Sequence, residues 1–309
     1  MSPSRWRSVF SLSLLVPSLI ALLGIPAIAA ATFETKSREP YAGAIVVDAG
    51  TGRVLFDDGG DRQVYPASVV KLMNMLVALE HLEAGRVALD DQVVVTAEAA
   101  RMGGSQVFLA EKEKFSVDDL LYALMISSAN DAAVALAVHI GGSRPAYVEL
   151  MNERAQRLGM TSTVFHTPHG LPPSRGQKPD VTSARDIAIL ARAVLDHPGV
   201  TRYTSTRSRP LRGGKFVMYS HNHLLKTVQG CDGLKTGYYA KAGYSVAATA
   251  MRDGRRVITV VLGARRSSTR DRKAAELMEL GFKRAEGAFR PAAHDSAGAP
   301  AAASAAVSH

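Results

Sequence analysis

Strand-forming sequence stands at both ends of the body of this chain, and helical sequence fills the middle. Residues 42–47 (Ala-Gly-Ala-Ile-Val-Val) read as a short strand. Asp48-Ala49-Gly50-Thr51-Gly52 reads as a turn and residues 53–56 as the returning strand. Near the other end, residues 243–250 and 256–264 form a second hairpin around Arg252-Asp253-Gly254-Arg255. An isolated hairpin is only marginally stable in water, so each needs further strands or a helix to cover it. One sheet completed by strands from both ends, with a helical lobe inserted between them, satisfies both. The expected class is α/β, more strictly α+β: an antiparallel sheet flanked by helices, with an inserted all-helical lobe.

The middle supports this division. An apolar run at 72–79 follows Pro66. Residues 87–101 read as mixed and extended, with 93–95 a short strand. Ser116-Val117-Asp118-Asp119 fits a capping box, which places a helix over 120–126. Ser127-Ser128-Ala129-Asn130 interrupts the pattern, and further helices are expected over 132–140 and 145–158, ending at Gly141-Gly142 and Gly159. Residues 161–180 are rich in Pro, Gly and His and read as a long loop. Ser183 caps a helix running to about Leu195. Residues 215–219 are a strand candidate, 233–237 lie on or beside a strand edge, and 269–284 form an amphipathic terminal helix.

The termini read differently. Arg5 and Arg7 precede an apolar run, and small-x-small sites follow at 27–31, so residues 1–29 are expected to be a cleaved signal peptide and 30–40 a leader. An uncleaved anchor is the rival reading of the same run, which is short for a membrane span. Residues 41–285 form the expected folded domain, and 286–309, rich in Ala, Ser and Pro, a disordered tail. Export gives the formal charge of +9 its meaning. Nucleic acid is not an expected partner on the outside, whereas anionic wall polymers and membrane surfaces are. Cys231 is the only cysteine, so no intramolecular disulfide supports the fold.

The chemistry centres on Pro66-Ala67-Ser68-Val69-Val70-Lys71. A serine in the first turn of a helix and a lysine three residues later share one face. A serine hydroxyl is a poor nucleophile until a neighbour takes its proton, and a lysine does so only when burial or nearby cations lower its pKa. The spacing alone is also that of a helix cap beside a solvated lysine, and it arises by chance roughly once in a chain this long. Two companions change the balance. Ser128-Ala129-Asn130 lies between two helices, and Lys235-Thr236-Gly237 lies at a strand whose glycine lets a ligand backbone approach.

Ser-x-x-Lys, Ser-x-Asn and Lys-Thr-Gly in this order resemble the penicillin-binding proteins and serine β-lactamases. The chain is more similar still to the low-molecular-mass D-alanyl-D-alanine carboxypeptidases, in residues 104–109, 128–132, 158–163, 168–171, 183–186 and 232–237. The resemblance covers about residues 41–284. It implies the penicillin-binding protein fold and an exported, periplasmic or wall-side enzyme that removes the terminal D-alanine from peptidoglycan pentapeptide stems. Ser68 would be the nucleophile, Lys71 its base and Ser128 a proton relay to the leaving amine. Asn130 would bind the substrate amide, and Lys235, Thr236 and Gly237 the substrate carboxylate and backbone. The N–H groups of Ser68 and Tyr238 would form the oxyanion hole. β-Lactams would be covalent inhibitors, and no metal or cofactor is implied.

Three alternatives stay open at this stage. The class A β-lactamases use a loop glutamate for deacylation, and no glutamate occurs between Glu153 and Lys235. Many carboxypeptidases of this branch carry a second β-rich domain and an amphipathic anchor; neither is read here, so no stable membrane anchor is expected, and D,D-endopeptidase activity on cross-links becomes the second reading. A non-catalytic β-lactam- or wall-binding module is the third. His166, His169, His221 and His223 lack the spacing of a zinc protease and read as structural or surface residues. Arg265, Arg266 and Arg270 could help bind a peptide carboxylate or be solvated, and solvation is the favoured reading.

Overall fold

The computed structural model describes residues 40–287. The expected signal peptide, nearly all of the leader, and the tail from 288 onward lie outside the described residues.

Strands β1 (Gly43–Asp48) and β2 (Val54–Asp58) form the first hairpin. A single 3₁₀ turn, Ala67–Val70, then leads into α1 (Lys71–Glu83). The helical lobe follows, with β3 (Gln92–Val94), α2 (Ala97–Ala100), β4 (Lys114–Ser116), α3 (Val117–Ile126), α4 (Asn130–Gly141) and α5 (Arg144–Arg157). A long loop reaches α6 (Ala184–Leu195), followed by α7 (Thr201–Thr204), β5 (Ser208–Leu211), β6 (Phe216–Tyr219) and α8 (Leu224–Thr227). Strands β7 (Cys231–Tyr239), β8 (Gly243–Arg252) and β9 (Arg255–Ala264), then α9 (Ser267–Gly287), close the body.

The main sheet has the order β2-β1-β9-β8-β7, antiparallel throughout. Strands from the two ends of the chain meet at β1 and β9, where Ile45 faces Val260, as the two hairpins lead one to expect. Alternation along β1 divides the core in two. Ile45 and Val47 join a large cluster with α1, α3, α4 and α6. Ala44 and Val46 join a smaller one beneath Leu277, Met278 and Phe282 of α9. Among the described residues no helix is long and apolar enough to cross a membrane.

Local departures from expectation have local causes. Helix α3 starts at Val117 rather than 120, because Ser116 is itself the cap and accepts the Asp119 N–H at 3.1 Å. Helix α4 starts at Asn130 rather than 132. Residues 87–101 are not extended throughout, since Thr96 caps α2 by accepting the Ala99 N–H at 3.2 Å. Strand β4 escaped sequence analysis and pairs with β3, Phe115 opposite Val93. Helix α9 begins two residues early and runs to Gly287, past the domain boundary expected at 285.

Two features place the site. Strand β7 is an edge strand, so one of its flanks is free of sheet pairing. The buried Asp131 carboxylate, in the first turn of α4, accepts the N–H groups of Val107 (3.1 Å) and Leu109 (3.0 Å), and the Asn130 N–H donates to the Ser105 carbonyl at 2.8 Å. The segment before β4 is thereby fastened to the start of α4.

Candidate active site

Ser68 lies in the 3₁₀ turn, not in the α-helix as expected, and α1 begins only at Lys71. In a 3₁₀ turn residues three apart eclipse one another, which stacks the Lys71 side chain directly on that of Ser68. The Lys71 Nζ to Ser68 Oγ distance is 3.1 Å. Ala67, just before the serine, has φ +48°, a left-handed conformation uncommon for a non-glycine residue. Such strain persists only where the surroundings enforce it. Here they do, for Gly170 and Gly237 both press on this turn. A Cβ on Gly170 would lie 2.0 Å from the Ala67 carbonyl oxygen, and one on Gly237 would lie 2.7 Å from that of Pro66.

The Lys71 side chain is fully buried, and Nζ has two further partners, Asn130 Oδ1 at 2.7 Å and the His169 carbonyl at 2.7 Å. The Asn130 amide cannot be turned round, because Nδ2 donates to the Gly103 carbonyl at 2.7 Å. Both partners therefore only accept. Burial first, and the positive charge of Lys235 second, hold the Lys71 ammonium well below the usual lysine range, while Asp180 and Asp131 act in the opposite sense. A neutral amine has two N–H groups and one lone pair. The two N–H groups are taken by Asn130 and His169, which leaves the lone pair for the Ser68 hydroxyl proton. This is the geometry that a serine nucleophile hydrogen-bonded to a base requires.

Ser128 sits between α3 and α4 at φ +56°, again left-handed. Its side chain lines the same cleft as Ser68, a cavity of about 370 Å³, together with Thr236, Gly237 and Tyr238 from β7. Lys235 is buried at the side of this cleft, and Nζ donates to the Thr236 carbonyl at 2.9 Å. Burial, and then the nearby Arg270, lower its pKa to about 7. Tyr238 is half exposed and stacks on Tyr244 with ring centroids 4.0 Å apart.

All eight residues singled out in the sequence thus converge on one seam between the edge of the sheet and the helical lobe. Asn130 is engaged at both ends of its amide, by Lys71 and by the 103–105 segment, a commitment sequence reasoning did not foresee. Several lining residues were missed. Arg270 is not solvated: it is 4% exposed, lines the cleft and is held by Asp271, Nε to Oδ1 2.8 Å. Arg265 and Arg266 are exposed, as expected. Ser105, Ser220 and His221 also line the cleft. Burial and the surrounding cations lower the His221 pKa to about 4, so it is neutral at ordinary pH. His169 is buried, and its Nδ1 accepts the Leu171 N–H at 3.1 Å. Among the described residues no three potential metal ligands gather.

Fold and pairing together define a class, the penicillin-recognising serine proteins, marked by a serine with a lysine three residues after it. Residues 31–266 match the family model described as D-alanyl-D-alanine carboxypeptidase, and the chain belongs to that family. A D-alanyl-D-alanine carboxypeptidase of Bacillus subtilis, DacF, is 36% identical over 246 residues, 79% of this chain; the chain spans 62% of that relative's length. The D-alanyl-D-alanine endopeptidase of Escherichia coli is 28% identical over 269 residues, covering 83% of this chain and 82% of the relative. Among solved structures, penicillin-binding protein D2 of Listeria monocytogenes in its ampicillin-bound form superposes with a TM-score of 0.71 at 33% identity, over 78% of this chain and 96% of that one.

Proposed function

We propose that this protein is a serine D-alanyl-D-alanine carboxypeptidase, which removes the terminal D-alanine from peptidoglycan pentapeptide stems. The observation that carries the reading is the buried Lys71 amine, whose two other partners can only accept and which sits 3.1 Å from the Ser68 hydroxyl.

Ser68 Oγ attacks the carbonyl between the two terminal D-alanines as its proton passes to Lys71 Nζ. The N–H groups of Ser68 and Tyr238 receive the oxyanion. Collapse breaks the C–N bond. The proton on Lys71 reaches the departing amine through Ser128, which returns Lys71 to the neutral form. Water then hydrolyses the ester, freeing Ser68 and the shortened stem. Asn130 binds the substrate amide and fixes Lys71. Lys235, Thr236 and Gly237 hold the terminal carboxylate and the adjoining backbone, and Arg270 adds positive potential there. The 1–29 segment and the family's wall substrate support an exported enzyme working on the outer side of the cytoplasmic membrane. β-Lactams acylate the same serine, as the ampicillin-bound relative supports.

The coupling of the two lysines gives a signed prediction. Acylation requires a neutral Lys71, so it fails as pH falls through the Lys71 pKa. The Lys235 charge lowers that pKa. In Lys235→Gln the pKa rises, and the acid limb of acylation moves to higher pH. Weaker carboxylate binding lowers the whole profile without moving the limb. A stopped-flow pH profile with a β-lactam checks this, and a limb that stays in place or moves down contradicts it.

The activity itself is tested by product masses after incubation with pentapeptide monomer and cross-linked muropeptide dimer. Loss of one alanine from the monomer, with the dimer intact, is expected. Conversion of dimer to monomers would make the protein an endopeptidase, the activity named for its Escherichia coli relative. No change in either would leave a binding module.

A further inference from the structure

The loop between α5 and α6 is held to its own far end. Val164 and Val181 exchange both backbone hydrogen bonds at 3.0 Å, which closes the intervening segment into a loop. The residue just inside that closure, Asp180, is buried, and its carboxylate turns onto the opposite strand of the loop. Oδ1 accepts the N–H of Thr167 at 2.9 Å and that of His166 at 2.5 Å, and Oδ2 accepts the Thr167 hydroxyl at 2.7 Å. All three groups facing this carboxylate donate to it and favour its ionised form, against the burial that pushes its pKa up.

The Thr167 hydroxyl passes the order onward. Its single proton is spent on Asp180, so its oxygen is free to accept, and it takes the Gly170 N–H at 2.8 Å. Between Thr167 and Gly170 lies His169, whose carbonyl holds Lys71 Nζ at 2.7 Å. Gly170 itself packs on the Ala67 carbonyl in front of the nucleophile. Asn74 of α1 supplies the other hold on this segment, donating to the Pro168 carbonyl at 3.1 Å.

We propose that Asp180 is a positioning residue for the reaction: through Thr167 it fixes the backbone at 167–170, and so the carbonyl that aims the Lys71 lone pair at Ser68. The proposal rests on the reading of Lys71 as base. Asp180 acts on Lys71 in a second way, through its charge. The charged or titratable groups around Lys71 are Lys235 on β7, Asp131 on α4, Asp180 and His169 on the loop, and His221 beside the cleft; of these, the carboxylates favour the ammonium and Lys235 opposes it.

Two substitutions separate geometry from charge. Asp180→Asn keeps the shape but takes away the acceptor of the Thr167 proton and the negative charge. Thr167→Val removes the link and keeps the charge, and Thr167→Ser keeps both. The readout is the second-order rate of acylation by a fluorescent penicillin from pH 5 to 10 on the full chain, normalised to folded protein by circular dichroism. Asp180→Asn and Thr167→Val are expected to lose about 10- to 100-fold at the plateau, in line with a misaligned reacting group. Thr167→Ser is expected to stay within about threefold, since its hydroxyl can make the same two hydrogen bonds. The acid limb of Asp180→Asn moves to lower pH, while that of Thr167→Val stays in place. Plateau rates equal to the parent, or losses that vanish on normalisation, overturn the proposal. Lys71→Met serves as the outer control: if it acylates normally, the reading of Lys71 fails. If it is inactive while both positioning variants are normal, only the positioning role fails.

Discussion

Lys71→Met is expected to slow acylation of Ser68 by about 10²- to 10⁴-fold, the usual contribution of a positioned general base. Methionine is one atom shorter than lysine, similar in width, and carries no proton acceptor of use here, so the apolar stem is kept and the amine is lost. Two buried acceptors, Asn130 Oδ1 and the His169 carbonyl, lose their donor, which costs about 1–3 kcal/mol each when nothing replaces it. Against this, the fully buried amine no longer has to be desolvated, so a folded protein is expected. Lys71→Arg fails for a different reason: the guanidinium stays charged at all working pH and has no lone pair to offer. The measurement is the acylation rate by a fluorescent penicillin, with a thermal melt beside it. A Met variant that melts normally and acylates at the parent rate would remove Lys71 from the mechanism.

Gly170→Ala is expected to damage both stability and activity, although residue 170 contributes no side chain. Its φ is +79°, where an alanine costs about 1–2 kcal/mol. The new Cβ would stand 2.0 Å from the Ala67 carbonyl oxygen, 2.5 Å from its carbon and 3.1 Å from the Ser68 nitrogen. All three are backbone atoms, so no side chain can swing away. Either the 167–170 segment or the 67–70 turn has to retreat, at about 1–3 kcal/mol for overpacking. At about 2–4 °C per kcal/mol for a domain of this size, the combined cost lowers the melting temperature by roughly 4–20 °C. The retreat also parts Lys71 from Ser68, since each side of the contact carries one of their anchors, and a 1 Å misplacement lowers acylation by about 100-fold. Gly176→Ala is the control within the same loop. Its φ is +83°, but nothing lies within 4 Å of the built Cβ. It carries the backbone strain without the collision, so a drop of about 1–2 kcal/mol with unchanged acylation is expected. Equal acylation rates for the two variants would show that the close approach does not position the nucleophile.

The contrast between these two substitutions also marks how far the sequence can be read. Ser68 and Lys71 are legible because their relation is local: three residues apart on one turn, in apolar surroundings. Ser128, Asn130, Lys235, Thr236 and Gly237 are legible as short motifs in suitable settings, although nothing local says that they converge. The sheet is legible because β1 and β9 keep a run of apolar residues that must be buried on both faces. What carries no residue signature was invisible. The His169 carbonyl is a backbone atom, and the collision that reserves position 170 for glycine arises from residues a hundred positions away. For Arg270 the favoured solvated reading failed and the carboxylate alternative stays open, because the packing of α9 turns it inward, against Asp271, while Arg265 and Arg266 are exposed. Asn130 was assigned to the substrate alone, since its hold on Lys71 and Gly103 depends on where α4 begins. The short helix α2 was taken for extended chain because four residues are too few to show a helical period.

The central claim is that Ser68 is the residue acylated, and peptide mapping of the penicillin adduct tests it most directly. The protein is incubated with benzylpenicillin, its intact mass is recorded, and a tryptic digest locates the label. A gain of one whole penicillin is expected, because ring opening loses no atoms. The label is predicted on the fragment from Gln63 to Lys71, and Ser68→Ala is predicted to take up none. A label on the fragment that carries Ser128, or undiminished labelling of Ser68→Ala, would contradict the account.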